Sequence, residues 1–96
     1  MKTNSVFYGG DGRGMSIAVL ATSAKQAFTL FNAVPNIRWE SENRFRTHWS
    51  KMPNDNPNYP ELHNAPTGVY YKDFHAKSYK PLNDYDKARK ELDNED

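Results

Sequence analysis

"MSIAVLATSAKQAFTLFNAVP", residues 15–35, changes its apolar period part-way along, and that change sets the fold class. Up to Thr22 the apolar residues alternate, Ile17, Val19 and Ala21 against Ala18 and Leu20, and the β-branched content suits a strand. From Ser23 the period lengthens: Ala24, Ala27, Phe28, Phe31 and Val34 stand at i, i+3, i+4, i+7 and i+10, the single stripe of an amphipathic helix. Ser23 and Gln26 have the spacing of a capping box, in which each side chain satisfies an orphan amide of the first turn. Pro35 stops the helix.

Upstream, Ser5 to Tyr8 reads as a strand, so the glycine-rich "YGGDGRGMS" at 8–16 joins two strands. A phosphate loop is the competing reading. Gly9 and Gly14 are spaced as in the first half of a P-loop, but Met15 and Ser16 stand where Lys and Ser/Thr should follow. The dinucleotide fingerprint also fails, because a strand follows the loop instead of a helix whose N-terminus could hold pyrophosphate. Asp11-Gly12 is instead a preferred pair for a hairpin turn. Arg13, at the tip, is a candidate partner contact.

Downstream, "NIRWESENRFRTHWSKM" at 36–52 admits two structures. As a hairpin with a loop at Ser41 to Asn43, Ile37, Trp39, Phe45, Thr47 and Trp49 share one face. As a helix, Ser41 caps, Phe45, Trp49 and Met52 form a stripe, and Pro53 ends it. The hairpin is preferred, because Ile37 and Trp39 continue its face. In that register Glu40 meets Arg44, but Arg38 meets Arg46, and opposed like charges disfavour the pairing. An anionic partner would relieve them.

Residues 53–66 hold four of the six prolines and read as an irregular Pro/Asn-rich loop, functional or disordered, with its polarity favouring disorder. "GVYYKDF" at 68–74 reads as a strand with Val69, Tyr71 and Asp73 opposed to Tyr70, Lys72 and Phe74. After Pro81, Asn83 can cap a helix with Tyr85, Ala88 and Leu92 as its apolar stripe, before an acidic tail at 93–96. The expected architecture is one small α+β domain over 1–96: an N-terminal hairpin, a capped helix, a further hairpin or helix, a strand and a C-terminal helix.

Composition narrows the function classes. A chain this short buries only about two thirds of its unfolded surface, so a deep catalytic cavity is not expected. Apolar residues are 36% and aromatics 14%, which predicts a core resting on a few large rings. With no cysteine there is neither a disulfide framework nor a thiolate metal site. The N-terminus lacks the apolar run of a signal peptide and no stretch is long enough to span a bilayer, so the expected setting is the cytoplasm of a host cell. Net charge is +1, divided as +4 over residues 1–52 and −3 over 53–96. Neither half has the charge density of a nucleic-acid binder or a DNA mimic.

His48, His63 and His75 have no metal-ligand spacing, and no Ser/His/Asp set carries a nucleophile elbow. The expectation is a protein with no catalytic residue, metal or cofactor. Aromatic and basic residues interleave in "RWESENRFRTHWSK", as on a base-stacking platform, yet Trp39, Phe45 and Trp49 are needed for the core. That leaves Arg38, Arg44, Arg46 and His48 on the wet face, and with Arg13 they are the candidate partner-binding residues. Tyr59, in the proline-rich loop, is the next candidate.

Gly9 to Ala27, with D-G-R-G at 11–14, a small and apolar strand at 16–21 and S-x-x-Q-A at 23–27, resembles the opening of small phage-encoded anti-CRISPR proteins of the type II-C class. The resemblance implies an inhibitor that binds and blocks a bacterial defence protein, such as a CRISPR effector nuclease. It carries over no functional residue, since the matched positions are turn and cap positions. The runner-up is a small nucleic-acid-binding regulator using the Arg/His/aromatic segment.

Overall fold

The computed structural model describes residues 4–10, 14–35 and 41–93. The expectations placed on Asp11, Gly12 and Arg13, on Ile37, Arg38, Trp39 and Glu40, and on residues 94–96 lie outside them. Among the described residues, five antiparallel strands form one sheet: β1 (Ser5–Gly10), β2 (Met15–Ala21), β3 (Ser50–Pro53), β4 (Gly68–Asp73) and β5 (Lys80–Pro81), in the order β3-β1-β2-β4-β5. Three helices accompany it, α1 (Ala24–Asn32), α2 (Glu42–His48) and α3 (Tyr85–Asp93), so the fold is α+β.

The N-terminal hairpin pairs Ser5 with Ala21 through Gly10 with Ser16. Two of its glycines have separate structural reasons. Gly14 has φ 97°, a conformation that side chains with a Cβ rarely adopt. At Gly9 the backbone is ordinary, but a Cβ there would meet the Trp49 indole ring carbons. The loop that looked like a phosphate cradle therefore gives up a side chain so that a tryptophan can lie on the sheet.

The switch from strand to helix falls where the period changed. Ser23 Oγ accepts from the Gln26 amide at 3.1 Å, capping α1. Gln26 Oε1 does not return to Ser23, as a standard capping box requires, but accepts from the Thr22 amide at 2.8 Å and the Thr22 hydroxyl at 3.1 Å. Ala27 and Phe31 are buried, and Val34 beyond the helix end joins them.

Residues 42–48 are helical, which corrects the preferred hairpin. Ser41 Oγ accepts from the Arg44 amide at 3.2 Å, and Phe45 and Trp49, four apart, bury together. A strand would have put Thr47 on their face, whereas Thr47 is exposed and its hydroxyl donates to the Asn43 carbonyl at 2.8 Å. After Trp49 the backbone turns extended, and Ser50–Pro53 pairs with β1 as an edge strand. Ser41→Ala should thus lower stability by about 1 kcal/mol through loss of the cap. A denaturant midpoint that does not move would restore the hairpin.

Both faces of the sheet are covered, because residues of opposite parity bury in two separate clusters. Phe7, Ile17, Val19, Val69 and Tyr71 pack under the three helices. Val6, Ala18, Leu20 and Tyr70 pack under Leu62 and Tyr79 on the other side. The proline-rich segment is thus ordered cover, against its expected disorder: it contains a 3-10 turn at Pro60–Leu62, and Leu62 is 1% exposed. Its polar residues bind one another. Asn54 Nδ2 donates to the His63 carbonyl at 3.2 Å, and His63 Nε2 lies 2.7 Å from the Asn56 carbonyl. At the C-terminal helix the cap is Asp84, which accepts from the Lys87 amide at 3.2 Å, in place of the expected Asn83.

Candidate functional site

Of the residues singled out from the sequence, Arg44, Arg46 and His48 fall on α2, and its geometry decides how they are displayed. Phe45 and Trp49 fix the inward side: Trp49 stacks on Phe45 with centroids 4.6 Å apart, and Phe31 meets Trp49 edge-on at 5.0 Å. Arg44 and His48, four apart, share one exposed flank, while Arg46, two residues from each, lies on the other. The single wet face expected of a hairpin is therefore split in two. Arg13 and Arg38 lie outside the described residues, so of the proposed cluster the structure brings together Arg44, Arg46 and His48.

The chain then delivers Lys51 and Met52 onto β3. Lys51 is paired with Phe7 and holds its Nζ 6.0 Å from that ring, on the helix side of the sheet. Met52 is paired with Val6 and points to the opposite side, where it is 50% exposed. All four residues of β3 are exposed. The free edge is nevertheless blunted against pairing with another strand, being short and carrying a lysine and a proline.

Tyr59 is placed elsewhere. It meets Tyr79 edge-on at 4.9 Å and Tyr8 at 6.2 Å, and Tyr8 is the neighbour of Phe7 on β1, so Tyr59 is on the sheet face away from α2. The Lys72 ammonium lies beside this ring pair, 5.8 and 5.7 Å from the Tyr59 and Tyr79 centroids, on a residue only 8% exposed. Burial raises the Tyr79 phenol far above its ordinary range, with the nearby Tyr59, Tyr8 and Glu61 adding to the effect. Burial pushes the Tyr8 and Tyr70 phenols in the same direction. Such a cluster holds the loop on the sheet.

Reasoning from sequence did not find Phe74. The alternation sets it on a strand face with Tyr70 and Lys72, but β4 ends at Asp73 and Phe74 is 58% exposed. The only hint was the run of small and polar residues that follows it, "HAKS", which a buried strand would not continue into.

Among the described residues no three His, Cys, Asp or Glu side chains gather as a metal site. A cleft of about 160 Å³ lies between α3 and β4, lined by Tyr71, Asp84, Lys87 and Glu91 among others. Three of its polar side chains are engaged within the fold, as the Tyr71 hydroxyl donates to Glu91 Oε2 at 3.1 Å and Asp84 caps α3. No helix among the described residues is long and apolar enough to cross a membrane. No family model matches the chain, and neither a curated protein nor a solved structure resembles it significantly.

Proposed function

We propose that this protein acts by binding and not by catalysis, and that the α2–β3 segment is its contact surface for a host protein. One observation carries the reading: a helix locked to the core by Phe45 and Trp49 holds Arg44, Arg46 and His48 outward, and leads into an edge strand bearing Lys51 and the half-bare Met52. Arginine and methionine are enriched at interfaces, and a rigid support lowers the entropy lost on binding. The partner surface is acidic. The likeness of residues 9–27 to type II-C anti-CRISPR proteins supports a bacterial defence protein as the target, with a CRISPR effector nuclease as the specific case.

Co-purification from bacterial lysate should return one stoichiometric protein. Replacing Arg44 and Arg46 together by Ala should leave the melting temperature nearly unchanged yet weaken that complex by roughly tenfold or more if either is a hot spot. Full-strength binding by the double variant would remove α2 from the interface. A steep log–log salt dependence with random DNA or RNA would favour a nucleic-acid regulator instead.

A further inference from the structure

Phe74 is the one exposed Phe, Tyr or Trp among the described residues, whose other such rings are spent on the two cores. A lone exposed apolar side chain is ordinary on a protein surface. What sets Phe74 apart is how firmly its backbone is held. Its amide donates to the Gly14 carbonyl at 3.1 Å, tying it to the neighbouring hairpin. Its carbonyl accepts from the buried Lys72 ammonium at 3.5 Å, which also donates to the Asp73 carbonyl at 3.3 Å. Directly after it, Ala76 donates to the Asp73 carbonyl at 3.0 Å, and Asp73 Oδ1 accepts from the His75 amide at 3.5 Å. Burying an ammonium is costly unless its hydrogen bonds are made, and here two of them go to the carbonyls beneath an exposed ring. The ring is presented on a fixed turn, the condition under which a hydrophobic anchor loses least entropy on binding.

The position fits the surface already described. Asp73 pairs with Met15, and Tyr8 pairs with Ser50, so the end of β4, the two ends of the glycine loop and the C-terminus of α2 all lie toward the same end of the sheet. Across the sheet β3 and β4 are three strand spacings apart, roughly 14 Å, a lateral separation that one interface of standard size can span. The loop also carries hydrogen-bond donors on its outer side. His75 and Lys77 are exposed, while the Asp73 carboxylate is turned back onto the chain.

We propose that Phe74 is the apolar anchor of the partner interface, entering a hydrophobic pocket rimmed by carboxylates on the partner protein, with His75 and Lys77 meeting the rim. The proposal rests on the binding reading of α2–β3 and names the partner's chemistry. A nucleic-acid platform is the less favoured occupant, since a strand needs successive rings to stack its bases, and Phe74 stands alone.

The test has two arms. In the first, the isotope-labelled chain is titrated with p-sulfonatocalixarene, an apolar cavity with an anionic rim, with neutral β-cyclodextrin, and with oligothymidylate. The calixarene should shift the amides of residues 74–78 more than those around Lys25 and Lys90, cyclodextrin should act more weakly, and Phe74→Ala should abolish the preference. Equal shifts at all lysines, an unchanged response in Phe74→Ala, or tighter saturable binding of oligothymidylate at 74–78 would each overturn the proposal. In the second arm, Phe74→Ala should weaken the complex recovered by the unaltered chain by roughly tenfold or more, with the melting temperature unchanged. Retention by Phe74→Ala with loss by the Arg44/Arg46 variant overturns the anchor and leaves the α2–β3 reading standing. The reverse pattern keeps the anchor and removes α2.

Discussion

Phe45→Ala should lower stability by about 4 kcal/mol, a large part of what a domain of this size possesses. The ring is 0% exposed and joins three elements of the helix-side core. It stacks on Trp49 at 4.6 Å, meets Phe28 edge-on at 5.8 Å, and lies 6.0 and 6.3 Å from Phe31 and Phe7. Truncation removes the transfer energy of the ring and leaves a cavity whose walls, two helices and a strand, are held apart by the rest of the fold. Chemical denaturation measures it, as a fall in midpoint at unchanged slope. A loss below about 1 kcal/mol would show that the site collapses or that Phe45 is outside the core.

Gly9→Ala should cost about 3 kcal/mol, although chain entropy alone favours it. Alanine restricts the unfolded state and would add about 0.4–1 kcal/mol of stability at a position with ordinary backbone angles. Here the steric effect dominates. The new methyl would overlap the face of the Trp49 indole, and neither the strand backbone nor a ring packed on Phe31 and Phe45 can retreat without disturbing its neighbours. The double-mutant cycle makes this specific. In a Trp49→Ala background the Gly9→Ala cost should vanish or reverse, giving a coupling energy close to the single-site cost. Additive costs would mean that Gly9 is needed for a reason unrelated to Trp49.

The pair also explains why the glycine loop misleads. Gly9 and Gly14 match part of a phosphate-loop pattern, yet one clears space for an indole and the other holds φ 97° at the end of a hairpin. The missing lysine after Gly14 is the sequence's own argument against the phosphate reading. The partner of Gly9 was not legible, because Trp49 is forty residues away and reaches it only after α2 and β3 have formed.

The cationic site was legible in part. Arg44, Arg46 and His48 are exposed as their type and spacing suggested, but their division between two flanks depends on residues 42–48 being a helix. Ser41 capping and the Phe45/Trp49 spacing were both visible in the sequence. They lost to a strand reading in which Ile37 and Trp39 extended the same face, since a short segment can satisfy either period.

Local pattern by itself determined the hairpin, the point where strand gives way to α1, the strand that begins at Gly68 and the apolar stripe of α3. Each rests on contacts among near neighbours in sequence, where turn chemistry, caps and period act directly. Only the tertiary structure decided that the proline-rich segment is a lid on the second sheet face, that Lys72 lies buried beside two tyrosines, and that Phe74 is left in solvent. These depend on pairings across many residues. A period of two says that a strand has two faces, while what covers each face is set by which distant segment returns to it.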